Sequence, residues 1–281
     1  MNKAFKSYDI RGIYNQEFNR DDVYKIGYCL VKKFKTDKIL VGRDVRVSTP
    51  EIFEYLCKGI NDAGADVYDI GLATTPMVYY ATARYEFVLS VQITASHNPK
   101  EYNGLKVSGK YALPIGYDTG LRDIEYFLEN GIVEPVENKG EIIPFEVKHD
   151  YIDFLRKYLP DLNLLNISMD CSNGMAGLLV DDIFGNYPHY IYKEPDGTFP
   201  NHEANPLEEE NVEDLKKEVM KNHSDIGIIF DGDADRVMFV DELGKFIQPD
   251  LIIAFMAHYF LEHEKGNVFQ KQDQRREPRR G

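Results

Sequence analysis

Residues 39–70 read Ile39-Leu-Val-Gly-Arg-Asp-Val-Arg-Val-Ser-Thr-Pro-Glu-Ile-Phe-Glu-Tyr-Leu-Cys-Lys-Gly-Ile-Asn-Asp-Ala-Gly-Ala-Asp-Val-Tyr-Asp-Ile70. The apolar run 39–42 predicts a short buried strand. Ser48-Thr49-Pro50-Glu51 then predicts a helix start: a hydroxyl cap, proline at the first helical position and an acid in the first turn. Ile52, Phe53, Leu56 and Ile60 fall on one face at helical spacing. Gly64 ends the helix, and Val67-Tyr68-Asp69-Ile70 is the next strand. A strand–helix–strand unit of this kind implies a mostly parallel sheet.

The pattern continues outward. Residues 76–85 predict a helix, Phe87 to Thr94 a strong central strand, residues 118–130 another helix, and 142–147 a strand-like stretch. The Pro/Gly/Lys-rich region 131–144 marks a boundary. Beyond it, Ile167 to Cys171 predicts a strand whose exit, Ser172-Asn173-Gly174, opens a helix to about Phe184. Tyr187–Tyr192 predicts a strand, 209–222 a charged amphipathic helix, and Ile226–Phe230 a buried strand. Val237–Val240 pairs with a following strand through the turn Glu242-Leu243-Gly244-Lys245, and a last helix runs from Pro249 to about His263. The expected architecture is α/β: two successive mixed α/β domains, 1–140 and 141–246, and a fragment of a third, 247–281.

Composition narrows the function classes. Of 281 residues, 43% are hydrophobic and 28% charged, the balance of a soluble globular protein. Nothing approaches the ~20 apolar residues of a membrane span. The start of the sequence has no signal-peptide core, so a cytoplasmic location is expected. The net charge of −14 argues against nucleic acid as a partner, and an anionic substrate would need locally placed Arg and Lys. Cys29, Cys57 and Cys171 are expected as buried thiols. Gly266 to Gly281 carries five Lys/Arg against two Asp/Glu and no apolar side chain after Phe269; it is expected to be disordered.

Two loops carry chemistry. The first, Thr94-Ala95-Ser96-His97-Asn98-Pro99, leaves a central strand, and ligands of parallel sheets gather at such carboxyl ends. Asn103-Gly104 is expected to turn the chain back and bring Lys106 close. Taken alone, a Ser-His pair is usually a turn or a cap, and a Ser-His-Asp hydrolase is disfavoured by the lack of a Gly-x-Ser-x-Gly elbow. The second loop, Asp231-Gly232-Asp233-Ala234-Asp235-Arg236, follows a buried strand. Carboxylates at alternate positions of an extended loop fall on one side and repel unless a cation sits among them; hard oxygens suit Mg²⁺. The plain alternative is a solvated acidic turn. An EF-hand is rejected, because its sixth position is Arg236 rather than glycine and strands flank the loop. Arg11 in Tyr8-Asp9-Ile10-Arg11-Gly12, Arg43 and Arg46 in Gly42-Arg43-Asp44-Val45-Arg46, and Arg236 supply positive charge, and arginine's planar fork suits phosphate.

With these motifs together, and with Asp196-Gly-Thr-Phe-Pro-Asn-His202 ahead of the acidic loop, the chain resembles the α-D-phosphohexomutase family (phosphomannomutase/phosphoglucomutase) from residue 5 to about 265. The phrase Ile93 to Val107 resembles its mannose/glucose branch more than its phosphoglucosamine branch. The resemblance implies interconversion of hexose 1- and 6-phosphates, with Ser96 carrying a phosphoryl group. One Mg²⁺ would be held by Asp231, Asp233, Asp235 and an oxygen of that phosphate on Ser96. Lys106 would be general acid/base, and Arg11, His97 and Arg236 would stabilise the phosphoryl group. Tyr8, Asn98, Arg43 and Arg236 become candidate substrate- and phosphate-binding residues, and a hexose 1,6-bisphosphate the activator and intermediate.

Family members have four domains, and this sequence departs from them early in the third. The sugar-recognition loop and the last domain's phosphate clamp are absent, so impaired activity is expected, and a frameshift or truncation is the expected origin of the polar tail. The helix 249–263, with an apolar face and no obvious partner, predicts self-association or poor solubility unless it folds back. Two alternatives remain: a non-catalytic sugar-phosphate or metal-binding fragment or half of a split mutase, and an Asp-nucleophile phosphatase of the haloacid-dehalogenase kind. The latter leaves Ser96 unexplained.

Overall fold

The computed structural model describes residues 3–263, so the polar tail 266–281 lies outside the described residues. Of these, residues 3–246 form one compact unit and 247–263 belong to a second. The first begins with β1 (Ile10–Ile13), α1 (Arg20–Phe34), β2 (Lys38–Arg43), α2 (Thr49–Asp62), β3 (Asp66–Leu72), α3 (Thr75–Arg84), β4 (Leu89–Ile93) and β5 (Tyr102–Gly109). It continues with α4 (Leu121–Asn130), β6 (Ile142–Pro144), α5 (Lys148–Arg156), β7 (Ile167–Asp170), α6 (Val180–Phe184), β8 (His189–Ile191), α7 (Glu213–Asn222), β9 (Ile226–Phe230) and β10 (Val237–Asp241).

The first sheet has the order β1-β5-β4-β2-β3-β6. Strands β4, β2, β3 and β6 are parallel, as the strand–helix–strand reading requires, whereas β5 is antiparallel to both β4 and β1. β6 adds residues 142–144 to this sheet, beyond the boundary expected at 140. The second sheet runs β10-β9-β7-β8, and Phe246 starts a further short strand at its β10 edge. Here β9, β7 and β8 are parallel and β10 is antiparallel to β9.

Helices α1 and α2 cover one face of the first sheet. Asn19 caps α1 by accepting from the backbone N–H groups of Asp21 and Asp22, and Asp22 returns the bond to the Asn19 N–H. The buried face of α1 (Val23, Ile26, Leu30) meets that of α2 (Ile52, Leu56, Ile60) over Ile39, Val41 and Val91 of the strands. Each fully buried side chain of this kind contributes about 1.5–3 kcal/mol. On the other face α3 and α5 pack with Phe87, whose ring stands edge-on to Tyr68 and Phe145. The three cysteines are free and buried, and burial raises Cys29 to about 11 and Cys57 to about 12. They are inert as nucleophiles.

Four local expectations are corrected. Ser48 precedes α2 but makes no cap; its hydroxyl accepts instead from Asn103 Nδ2 at 2.9 Å. Asn103-Gly104 lies inside β5 rather than in a turn, and the reversal occurs over 96–101. Gly104 is required there because a Cβ would stand 2.2 Å from the Ile10 carbonyl oxygen of β1. The single helix expected after Ser172 is a 3₁₀ turn (Met175–Leu178) followed by the short α6. The Asp231–Arg236 loop is a tight turn rather than extended, with Ala234 at φ +57°.

In the second unit, α8 (Pro249–His263) forms where the sequence predicts it. Leu251, Phe255 and Phe260 are exposed along it. Among the described residues no helix is long and apolar enough to cross a membrane.

Candidate active site

Both chemical loops leave the carboxyl ends of parallel strands, Ser96 after β4 and Asp231 after β9. They meet. Ser96 Oγ donates to Asp231 Oδ2 at 2.7 Å. The approach depends on Gly232, where a Cβ would stand 2.5 Å from the Ser96 carbonyl oxygen. Ser96 is buried and holds φ +53°, a left-handed backbone uncommon for residues other than glycine. Its N–H donates to Thr94 Oγ1 at 2.8 Å.

The tight turn makes the carboxylates converge. One oxygen from each of Asp231, Asp233 and Asp235 lies within 4.8 Å of the others. Asp231 Oδ1 accepts from the backbone N–H groups of Asp235 (3.1 Å) and Arg236 (3.0 Å). Asp233 Oδ2 accepts from Thr75 Oγ1 and from Lys106 Nζ, each at 2.6 Å, and Lys106 also reaches Asp235 Oδ2 at 2.5 Å. Asp233 Oδ1 is buried without a hydrogen-bond partner.

Charge distribution follows from this packing. Burial, reinforced by Asp233 and Asp235, raises Asp231 well above the usual carboxylate range. Burial also pushes Asp233 up, but Lys106 and the Thr75 hydroxyl outweigh it and hold Asp233 low. For Lys106, burial lowers and the two aspartates raise; the aspartates win. Burial, then the nearby guanidiniums of Arg236 and Arg11, lower His97 to about 4, so its ring is neutral near pH 7. Its Nδ1 stands 3.4 Å from Ser96 Oγ.

In front of these loops lies a cleft of about 410 Å³ lined by Tyr8, Arg11, Ser96, Lys106, Asp235 and Arg236, with Lys6 and Tyr79 at its wall. β1 places Arg11 opposite Gly104 of β5, the strand that carries Lys106. Arg11 Nη1 donates to Asn98 Oδ1 at 2.8 Å, Nη2 pairs with Asp9, and the buried Nε has no partner. In a chain with a net charge of −14, Lys6, Arg11, Lys106 and Arg236 gather around one opening, where Arg11 pairs with Asp9 and Lys106 with Asp233 and Asp235.

Of the residues expected from sequence, Ser96, His97, Asn98, Arg11, Tyr8, Lys106, Arg236 and the three aspartates come together here. Arg43 does not. Its guanidinium pairs with Asp69 of β3 at 2.5 Å and lies 3.8 Å over the Phe53 ring of α2, although its backbone pairs with Ile93 of β4 as well as with Leu72 of β3. The arginine of that motif reaching the Ser96 loop is Arg46, which binds backbone carbonyls. Sequence reading also missed Thr75. Thr74 is the cap of α3, accepting from the Met77 N–H at 3.2 Å, which leaves the second hydroxyl at that helix start for Asp233. Paired threonines before Pro76 were the available signal.

Residues 2–131 match the model of phosphoglucomutase/phosphomannomutase alpha/beta/alpha domain I, and residues 149–244 match domain II. The chain belongs to the phosphoglucomutase/phosphomannomutase family. It is 39% identical over 275 residues to a phosphomannomutase of Salmonella montevideo, covering 94% of this chain and 60% of that protein. It is 36% identical over 272 residues to a phosphomannomutase of Methanocaldococcus jannaschii, again with 94% and 60% covered. A phosphoglucomutase/phosphomannomutase family protein from Burkholderia thailandensis has a similar structure, with a TM-score of 0.85 and 28% identity over 93% of this chain and 59% of that one. The chain therefore spans about three-fifths of the length of the curated relatives it matches. The Ser96 loop falls in the family's domain I and the aspartate loop in its domain II.

Proposed function

We propose that this chain carries a phosphoryl group on Ser96 and exchanges it with hydroxyls of a hexose phosphate, with one Mg²⁺ held at Ser96, Asp231, Asp233 and Asp235. The observation that carries this reading is the 2.7 Å hydrogen bond joining the Ser96 hydroxyl to the triple-carboxylate loop. Three converging carboxylates and the unpartnered Asp233 Oδ1 fit a hard divalent cation, which prefers oxygen donors. Bound there, the ion would withdraw charge from a phosphoryl group on Ser96 Oγ.

The protein's own groups account for the rest. Arg11 and Arg236 line the cleft as forked donors for phosphate oxygens. The neutral His97 ring offers a hydrogen bond beside Ser96 Oγ without adding charge. As a sugar hydroxyl oxygen bonds to phosphorus, the bond from phosphorus to Ser96 Oγ breaks. The departing Ser96 Oγ gains a proton as the sugar hydroxyl loses one, and the roles reverse on return. Lys106, held charged by Asp233 and Asp235 in the same cleft, is assigned as the donor to Ser96 Oγ, and the amine left behind as the acceptor of the sugar hydroxyl proton. Tyr8 and Asn98 flank the phosphate site. A hexose 1,6-bisphosphate would be both the phosphoryl source and the intermediate, and relatives named phosphomannomutase favour mannose or glucose phosphates as substrates.

The division into 1–140, 141–246 and 247–281 belongs to the same proposal, with the pairing of β6 to β3 favouring a first boundary a few residues later. Self-association is proposed through the exposed apolar side chains of α8, and sedimentation of the chain with Leu251, Phe255 and Phe260 replaced by polar residues tests it. For the chemistry, the chain is incubated with Mg²⁺ and a hexose 1,6-bisphosphate and its intact mass recorded. One phosphate on the parent chain and none on Ser96→Ala is expected. No uptake, or uptake that survives Ser96→Ala, refutes the reading.

A further inference from the structure

The segment Asp196–His202 supplies no group to the cleft, yet it is tied to the reacting loop through one buried side chain. Arg46 is 1% exposed. Its Nη2 donates to the carbonyl oxygens of Ser96 (2.8 Å) and Asn98 (2.7 Å), and Nη1 to those of Pro99 (2.7 Å) and Tyr102 (3.0 Å). Its Nε donates to Asp44 Oδ2 at 3.2 Å, while Asp44 Oδ1 is held by the Arg46 N–H and the Thr49 hydroxyl. All five donors of the guanidinium are therefore engaged, none of them by a group that a substrate could replace.

Residues 196–202 close over this arrangement. Gly197 forms a parallel bridge with Arg46, and the Phe199 ring lies 5.1 Å from the guanidinium carbon. The other contacts of the segment lead to the exit of β7: the Asp196 N–H donates to the Asn173 carbonyl at 2.8 Å, and Asn201 Nδ2 to Asn173 Oδ1 at 2.7 Å. His202 Nε2 stands 3.1 Å from Asp170 Oδ2. One strap thus runs from the second sheet, over Arg46, to the backbone of the Ser96 loop.

We propose that Arg46 is the positioning residue of the Ser96 loop, with Phe199 and residues 196–202 locking it so that Ser96 Oγ is held against Asp231. A left-handed backbone at a non-glycine residue persists only where its surroundings over-determine it, and four carbonyls drawn onto one planar fork do so. Lysine, with a single nitrogen and three donors, cannot span them. The inference rests on the proposed function only for its consequence in phosphoryl transfer; the geometry of the loop stands apart from it.

The test uses the full chain with Arg46→Ala and, separately, Phe199→Leu, each checked for a cooperative thermal transition. Amide hydrogen exchange is compared between peptides covering 95–103 and 226–230, and the rate of phosphate uptake at Ser96 is followed by intact mass. Arg46→Ala should raise exchange at 95–103 at least ~10-fold with 226–230 unchanged, and slow uptake about 10²-fold, the cost of a misplacement near 1 Å. Millimolar guanidinium should restore both and ammonium neither, a recovery that a general packing defect would not show. Should Arg46→Ala fail to fold, Phe199→Leu decides, with a smaller rise confined to 95–103. Unchanged exchange at 95–103, an equal rise in both regions, or a folded Arg46→Ala indifferent to guanidinium overturns the proposal. If the parent chain takes up no phosphate, the functional reading fails while the exchange arm still judges Arg46.

Discussion

Ser96 Oγ and Asp231 Oδ2 are 135 residues apart in sequence and 2.7 Å apart in space. The backbone contact beneath them has no room for a methyl group at Gly232. Gly232→Ala should therefore separate the loops, lowering phosphate uptake at Ser96 about 10²-fold and costing about 1–3 kcal/mol in stability. Intact-mass kinetics and urea denaturation measure the two effects. Normal uptake in a folded Gly232→Ala chain would show that the contact is incidental.

Divalent metal should raise the melting temperature of the chain. At a metal concentration 100 times Kd the gain is about 2.7 kcal/mol, removed by a chelator. Asp233→Asn should abolish that gain and, by leaving Lys106 short of a buried partner, cost up to about 3–5 kcal/mol on its own. Calorimetric scans with and without Mg²⁺ or Mn²⁺ check both. A metal-induced rise that persists in Asp233→Asn places the ion elsewhere.

Lys106 pairs with both Asp233 and Asp235 and offsets part of their charge. Lys106→Met leaves the carboxylates repelling one another, so divalent affinity should increase roughly tenfold, equivalent to ~1.4 kcal/mol, while phosphoryl exchange falls. Isothermal titration of the parent and variant chains with Mn²⁺ reads the first effect. Equal or weaker binding by Lys106→Met contradicts this account of the charges.

At the end of α2, Asp62 accepts from Tyr24 Oη at 2.7 Å and pairs with Lys139 at 2.6 Å. Burial pushes its pKa up, but the bonds from Lys139 and Tyr24 prevail and hold it below the ordinary carboxylate range. Folding thus favours the ionised form: the stabilisation is complete above the unfolded pKa and lost as pH falls through the folded one. Asp62→Asn should cost about 1–2 kcal/mol at neutral pH, and the deficit should shrink in acid. Urea titrations at neutral and acid pH test this, and a deficit independent of pH would dismiss it.

Much of the fold was legible because its signals are local. The apolar runs of β2, β4 and β9 and the helical stripe of α2 each specify an element without distant information. Asn103 was misread for the opposite reason. Asn-Gly is a strong turn signal, but here its side chain bonds to Ser48 and Thr49, and Gly104 makes room for β1. The site was legible where function concentrates chemistry in short loops, at Ser96 and at the three aspartates. Arg43 and Arg46 were not separable by sequence, since one ends β2 and the other lies three residues on, and only the side-chain contacts, Arg43 to Asp69 and Arg46 to the Ser96 and Asn98 carbonyls, tell which one reaches the serine loop.

The left-handed conformation of residue 96 restricts which alcohol can serve there. Threonine presents the same hydroxyl, but its branched β-carbon makes a positive φ a severe outlier. An exchange that looks conservative on paper would force the loop either to relax away from Asp231 or to hold a conformer few β-branched residues tolerate. At this position, then, the shape of the main chain selects serine over threonine.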